Sequence, residues 1–323
     1  MTSNLIEIEN LFVEYKTQSI LQKPQKVFAV NDLSLEIKKG EIFSIAGESG
    51  CGKSTLAKAV LRLVDVKSGK IHLRRAGIED GEKNILELGK NELKTFRQNA
   101  QIIFQNPYSS LNPKMKIYDI LKEPLAVNRN NLSKEEIDKI ILETIEQVGL
   151  GQNVLRLYPH EFSGGQRQRI AIARALILKP EFIVADEPVS ALDVSIQAQI
   201  INLLNELKEK FNLTILFISH DLSVIKYLSD RVGIMYLGEI VEIGTSEEIF
   251  NKPKHPYTQA LLSAKPGEKK DKIILKGDLP TPTNLPSGCK FHTRCPHAME
   301  ICSKKAPLKT KFSDSHFVYC HLY

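Results

Sequence analysis

Apolar and polar residues alternate from Leu5 to Tyr15 and again from Val27 to Ile37, the period-two pattern of half-buried strands. Lys38-Lys39-Gly40 then turns the chain into the apolar run Ile42-Phe43-Ser44-Ile45-Ala46, which reads as a further strand. A glycine-rich stretch follows at once, and Ser54 to Leu63 reads as a helix. Strand, glycine loop and helix in that order aim backbone N–H groups at an anion. Further on, Ser133 and Glu136 form a capping-box pattern, and Ile137, Ile140, Ile141, Ile145 and Val148 recur at helical spacing until Gly149. The middle of the chain, about 105–150, is therefore expected to be helical. After it come a helix from Ser163 to Leu178 ended by Pro180, a strand Phe182 to Asp186, a helix Ser195 to Lys210 and a strand Thr214 to Ser219. Arg231 to Gly244 reads as a hairpin through Leu237-Gly238-Glu239. Strands alternating with helices predict βαβ units and a parallel sheet. The fold class is α/β, with an antiparallel β subdomain, a helical insertion and a small C-terminal extension.

Composition narrows the class. The 323 residues are 42% hydrophobic and 25% charged, which excludes a disordered, collagenous or coiled-coil chain. No stretch approaches the ~18 consecutive apolar residues of a membrane span. Met1-Thr2-Ser3-Asn4-Leu5-Ile6-Glu7 lacks the basic-then-apolar order of a signal peptide, so a cytoplasmic chain is expected. The net charge of +6 is concentrated: residues 265–323 hold 11 Lys and Arg against 5 Asp and Glu, together with four of the five cysteines. A domain boundary is expected near Lys265, giving a 1–264 domain with a helical subdomain at about 105–180 and a 265–323 extension. The basic excess is read as solubilising charge rather than a nucleic-acid surface.

Gly47-Glu48-Ser49-Gly50-Cys51-Gly52-Lys53-Ser54-Thr55 fits the P-loop pattern G-x-x-x-x-G-K-[ST] in the required strand-to-helix setting. The glycines let backbone N–H groups face phosphates, Lys53 neutralises the β- and γ-phosphates, and Ser54 offers a hydroxyl to Mg²⁺. Cys51 is read as a small filler. Phe182-Ile183-Val184-Ala185-Asp186-Glu187 is an apolar strand ending in two carboxylates. Asp186 suits the Mg²⁺ shell, and Glu187 suits polarising a water for in-line attack on the γ-phosphate.

Ser163-Gly164-Gly165-Gln166, opening a helix 24 residues before Glu187, matches the signature motif of ABC-family nucleotide-binding subunits, which the chain resembles. Glycines at a helix start expose backbone donors at the positive end of the dipole. The resemblance extends over about residues 5–245. It implies that Gln105, in Phe104-Gln105-Asn106-Pro107, is the Q-loop residue that senses the γ-phosphate, shares the Mg²⁺ and touches the membrane subunit. It implies likewise that Ser190-Ala191-Leu192-Asp193 is the D-loop, that His220 is the switch histidine on the γ-phosphate, and that Tyr15 lies under the adenine. In the family, two ATP molecules are sandwiched between two such domains.

Tyr108-Ser109-Ser110-Leu111-Asn112-Pro113, Tyr158-Pro159-His160-Glu161-Phe162, Pro188-Val189 through Gln199, and His255-Pro256-Tyr257-Thr258 resemble importers of oligopeptides, dipeptides and nickel. The intact motifs are most similar to the second, F-type ATPase of peptide importers, although Phe162 stands where many members have Leu. That resemblance implies four partners: a second, homologous ATPase in a heterodimer, two transmembrane permeases and an extracytoplasmic substrate-binding protein. It places the chain peripherally on the cytoplasmic face of the inner membrane. Nickel import and a non-transport ABC ATPase acting on nucleic acid or ribosomes stand as alternatives. No nucleic-acid partner is expected, because the sequence has no second P-loop, no aromatic-basic RNA motif and no long coiled-coil insertion.

Cys289, Cys295, Cys302 and Cys320 follow C-x5-C-x6-C-x17-C. Zinc ribbons prefer C-x2-4-C pairs, whereas wider gaps suit a [4Fe–4S] cluster, which some peptide-importer ATPases hold in the extension this segment resembles. Iron–sulfur, zinc and free thiols all stay open on spacing.

Overall fold

The computed structural model describes residues 3–16, 25–74, 83–106, 110–129, 131–264 and 272–323. It divides into two compact units, Met1–Glu87 with Ser219–Tyr323, and Leu88–Ile218. The division runs through the expected 1–264 domain, and the expected helical subdomain at about 105–180 lies within the second unit. The expected boundary at Lys265 falls among residues 265–271, outside those described, and the cysteine-bearing segment that follows packs within the first unit.

In the first unit, Asn4–Lys16 pairs antiparallel with Lys26–Lys38 on one side and with Ser68–Leu73 on the other, and Lys83–Asn84 completes a four-stranded sheet. Ile8 lies opposite both Leu35 and Ile71, all three buried, which is the reason the alternating pattern folds this way. The alternation slips between Ile8 and Leu11, where the register shifts. There Asn10 and Asp32 both take left-handed backbone, and Asn10 Nδ2 donates to Asp32 Oδ1 at 2.8 Å. Ile42–Ala46 is fully buried and runs parallel to Arg231–Tyr236, Ala46 opposite Ile234. The expected hairpin forms: Leu237 and Gly238, both at positive φ, turn the chain back into Glu239–Thr245. Two short strands of the C-terminal segment, Phe317–Tyr319 and Lys309–Lys311, then add to that hairpin. Tyr236, Tyr257, Ile249 and Phe291 form the core beneath it.

In the second unit, Ala100–Ile103, Phe182–Asp186 and Thr214–Ile218 are parallel, with Ile103 opposite Ala185 and Asp186 opposite Ile218. The last two strands are buried along their whole length, as their unbroken apolar sequences require. The middle of the chain contains helices Ile117–Asn128 and Lys134–Gln147, the second opened by the expected Ser133/Glu136 capping box. Helices Gly164–Leu176 and Val194–Phe211 match their expected spans to within two residues. Helix Lys90–Asn99 was not anticipated, because only Phe96 of its ten residues is buried and no apolar period is written in it.

Candidate functional site

The P-loop folds as a tight cradle in the first unit. Gly47 and Gly52 are dictated by close approach: a Cβ on Gly47 would lie 2.2 Å from the Met235 carbonyl oxygen, and one on Gly52 would lie 2.0 Å from that of Ala29. Gly52, at φ +108°, is also the N-cap of helix Lys53–Val60, with no side-chain cap, so the first-turn N–H groups have no intrahelical acceptor. Lys53 Nζ is buried and donates to the carbonyls of Gly47 and Glu48, both at 2.9 Å. Ser49 and Gly50 are exposed at the tip, while Ser54 and Thr55 are half-buried in the first turn. Cys51 is buried 3.8 Å from Lys53 Nζ, and burial pushes its thiol above the ordinary range. That is the environment of a packing residue rather than of a nucleophile. Tyr15 closes the first strand, 39% exposed and paired with Val27. His220 is exposed between the end of strand Thr214–Ile218 and helix Leu222–Leu228, whose N-cap Asp221 accepts from the N–H groups of Ser223 and Val224.

The second unit brings the other predicted residues together. Asp186 is buried at the end of its strand. Glu187, directly after it, takes left-handed backbone at φ +47° and donates its N–H to the Ile218 carbonyl at 2.9 Å. A non-glycine residue held in that region stores strain of the kind that gathers at functional sites. Its carboxylate accepts a 2.8 Å hydrogen bond from the Gln105 amide, and its carbonyl accepts from the Ser190 hydroxyl at 3.1 Å. Gln105 and Ser190 thus both anchor the carboxylate-bearing residue. Pro107, Tyr108 and Ser109 lie outside the described residues.

Ser163 caps helix Gly164–Leu176: its hydroxyl accepts from the Gln166 N–H at 3.4 Å, and Gln166 Oε1 accepts from the Ser163 N–H at 3.1 Å. A Cβ on Gly165 would approach Ile196 Cγ2 to 2.5 Å, and one on Gly164 would approach Leu192 Cδ2 to 3.2 Å. Helix Gly164–Leu176 therefore packs on Leu192 and Ile196, either side of Asp193, the N-cap of helix Val194–Phe211; a Cβ at 165 would force Ile196 to shift, whereas one at 164 would need only a small movement of Leu192. Phe162 is buried, consistent with an apolar swap for Leu.

All four cysteines of the C-terminal segment are free thiols, and Cys302 and Cys320 are buried. Burial pushes Cys289 up to about 11, and the neighbouring Cys302, Cys320 and Cys295 add to it. Cys289 N–H donates to the Cys302 carbonyl at 2.8 Å. Among the described residues, no group of three or more His, Cys, Asp or Glu is arranged to hold a metal ion. No described helix is long and apolar enough to cross a membrane.

Comparison with known proteins agrees with this geometry. The ABC transporter family matches residues 30–190, and the oligopeptide/dipeptide transporter C-terminal region matches residues 241–302. The oligopeptide transport ATP-binding protein AppF of Bacillus subtilis is 50% identical over 308 residues, covering 94% of this chain and 92% of its own length. The chain belongs to the ABC transporter ATP-binding family. Within that family, the oligopeptide transport ATP-binding protein OppF of Haemophilus influenzae is 46% identical over 331 residues, covering 98% of this chain and 96% of its own. The dimeric ATP-binding cassette MJ0796, solved in a post-hydrolysis state with ADP and Pi, superposes with a TM-score of 0.64. It is 30% identical, and the match covers 75% of this chain and 98% of that one. As an ABC cassette the chain uses ATP and Mg²⁺. Two residues that contact the P-loop, Tyr257 and Arg294, carried no role in the sequence reading. The only signal was the stretch His255-Pro256-Tyr257-Thr258, noted for its resemblance alone.

Proposed function

We propose that this chain is the ATP-binding and ATP-hydrolysing subunit of an ABC importer that takes up peptides across the cytoplasmic membrane. The observation that carries the reading is near full-length identity to oligopeptide transport ATP-binding proteins, joined to an oligopeptide/dipeptide C-terminal region in the same chain. In the first unit, Lys53 binds the β- and γ-phosphates, Ser54 offers its hydroxyl to the metal of MgATP, and Gly47 through Thr55 enclose the phosphate chain. Tyr15 stacks on the adenine, and His220 contacts the γ-phosphate. The donors fit a hard cation: a hydroxyl, the buried Asp186 carboxylate and the Gln105 amide are all oxygen ligands. When bound, Mg²⁺ supplies charge neutralisation on the phosphate oxygens.

Glu187 is the general base. The Gln105 amide on its carboxylate holds it in orientation, and exchange of that hydrogen bond for one to the γ-phosphate side would report nucleotide to the permease. Ser163, Gly164, Gly165 and Gln166, with Asp193, serve the ATP held by the opposed subunit, for which a second, homologous ATPase is the partner. A groove of about 310 Å³ in the second unit supports permease docking. Phe104, Leu111, Pro124 and Val127 line it, and the Arg174–Glu123 ion pair stands at its rim. Two permeases and an extracytoplasmic binding protein complete the importer, with this chain peripheral on the cytoplasmic face.

The test is the complex reconstituted in vesicles with its partner ATPase silenced. Glu187→Gln should keep ATP binding while lowering turnover by about 10²–10³ and abolishing peptide uptake. Unchanged hydrolysis would remove Glu187 from the base role, and ATP-driven uptake of nickel instead of peptide would redirect the cargo.

A second reading concerns Cys289, Cys295, Cys302 and Cys320 as ligands of a [4Fe–4S] cluster. Four free thiols, with Cys302, Cys320 and Cys295 each acting on Cys289, support it by donor chemistry, although among the described residues they are not grouped around one ion. No step of ATP hydrolysis passes through it. Iron and acid-labile sulfide in anaerobically purified, folded protein would support the cluster, and their absence from every such preparation would remove it.

A further inference from the structure

Arg294 joins the C-terminal segment to the P-loop. Arg294 Nη1 donates to Glu48 Oε2 at 2.8 Å and Nη2 to Glu48 Oε1 at 3.1 Å, a bidentate fork between residues 246 apart in sequence. The guanidinium side chain is 10% exposed and the carboxylate 28%. Beneath the fork is an aromatic floor. Arg294 Cζ lies 6.0 Å from the centre of the Tyr236 ring, which packs against Tyr257 at 4.7 Å and Phe291 at 5.3 Å. The same floor holds the Glu48 backbone, because the Tyr257 hydroxyl accepts the Glu48 N–H at 2.9 Å. On its other side, the Glu48 carbonyl accepts Lys53 Nζ at 2.9 Å. The Cys51 N–H donates to the same carbonyl at 3.3 Å, so every polar group of Glu48 is engaged, and two of its four partners come from residues C-terminal to 250.

A carboxylate inside a loop that takes up a polyphosphate is an electrostatic liability. At short range and reduced dielectric, one like charge weakens anion binding severalfold or more. We propose that Arg294 is a positioning residue for the P-loop: its fork cancels the Glu48 charge, so the C-terminal segment sets the affinity of this chain for nucleotide. The proposal rests on the reading of Gly47–Thr55 as the ATP site. A plain structural tether would use the same contact, but it makes a different prediction, because a tether is lost whenever either partner is lost, whereas charge cancellation is restored when both charges are removed.

The experiment is equilibrium titration of the full-length chain with the fluorescent analogue trinitrophenyl-ATP, alongside thermal melting. Arg294→Gln should weaken binding by about tenfold, the size expected of one uncancelled charge a few ångströms from the phosphates. The loss should shrink in high salt. Glu48→Gln removes the like charge and leaves Arg294 uncancelled, so it should tighten binding, and the Arg294→Gln, Glu48→Gln pair should return to the parent level, with Arg294→Lys between the parent and Arg294→Gln because an ammonium makes no fork. Parent-like binding by Arg294→Gln, or a double variant as weak as Arg294→Gln, would overturn the proposal. If Arg294→Gln does not fold, Glu48→Gln and the double variant still decide it, since a tether predicts that both bind weakly. Lys53→Ala separates the two readings. Weakened binding there with intact binding in Arg294→Gln refutes this proposal alone, whereas intact binding in Lys53→Ala refutes the ATP-site assignment and this proposal with it.

Discussion

Two helix starts in this molecule are proposed to meet phosphate, and they are built in opposite ways. Helix Lys53–Val60 begins at Gly52, in left-handed backbone and without a side-chain cap. Helix Gly164–Leu176 begins at Ser163, which closes a reciprocal capping box with Gln166. The first has no side-chain cap and depends on the loop around it for shape: Lys53 on two loop carbonyls, Gly47 against Met235 and Gly52 against Ala29. The second satisfies its own end and presents only its glycines. A cradle that is to enclose a phosphate chain gives up self-sufficiency, whereas the helix end proposed to meet one phosphate from outside keeps it.

The largest effect follows from breaking the first construction. Gly52→Ala forces a β-carbon to 2.0 Å from a backbone oxygen at φ +108°, so nothing nearby can yield cheaply. We expect a loss of about 3 kcal/mol or more by chemical denaturation and no measurable ATP binding. Gly50→Ala is the control. It too has positive φ, at +79°, but no atom within 4 Å, so it should cost only about 1 kcal/mol. Equal losses in the two would show that backbone conformation, not close approach, makes the cradle.

The second construction is tested by charge. Gln166→Glu keeps a capping box, and an acidic third residue favours a helix start, so stability should hold or rise slightly. It also places a negative charge where the opposed subunit's γ-phosphate is proposed to sit. In the assembled complex, turnover should fall by about tenfold, with nucleotide affinity of this chain's own P-loop unchanged. Parent-like turnover would mean that the signature end is a structural cap only.

The same contrast explains what could be read from sequence. Both helix starts were legible because their chemistry is contiguous: Gly47–Thr55 and Ser163–Gln166 carry glycine, cap and charge within a few residues. The buried parallel strands were legible because they are unbroken apolar runs. The Gln105–Glu187 hydrogen bond spans 82 residues, and only resemblance placed both partners in one site. The Arg294–Glu48 fork was invisible, since a lone arginine beside a cysteine has no period or spacing to mark it. Strands Lys309–Lys311 and Phe317–Tyr319 are three residues each, too short to write an alternation, and they form by adding to a hairpin edge already in place. The Asn10–Asp32 bulge was likewise hidden, because a register shift preserves the apolar count while moving the face.

A third helix start, Thr245 before Ser246–Asn251, has the capping box of helix Gly164–Leu176 with Glu248 in place of Gln166, and no phosphate is proposed at it. Glu248 accepts from the Thr245 N–H at 2.9 Å and from the hydroxyls of Ser313 and Ser315, so one carboxylate caps the helix and pins the C-terminal segment. Burial works against its charge, but the hydrogen bonds from Ser313, Thr245 and Ser315 outweigh it and hold the group down to about 2, against an ordinary 4.5. With the folded value depressed, the contribution is complete above pH 4.5 and disappears as pH falls toward 2. Discounted for partial exposure, it amounts to about 1 kcal/mol. Glu248→Gln should therefore lower stability by about that amount at pH 7 and leave it nearly unchanged at pH 2.5, read from urea denaturation at both pH values. The Gln166 box contains no titrating group, so Gln166→Ala should cost the same at both pH values. A pH-dependent cost for Gln166→Ala, or a pH-independent one for Glu248→Gln, would mean that the charge on a capping residue is not what separates a helix end built for structure from one built to face phosphate.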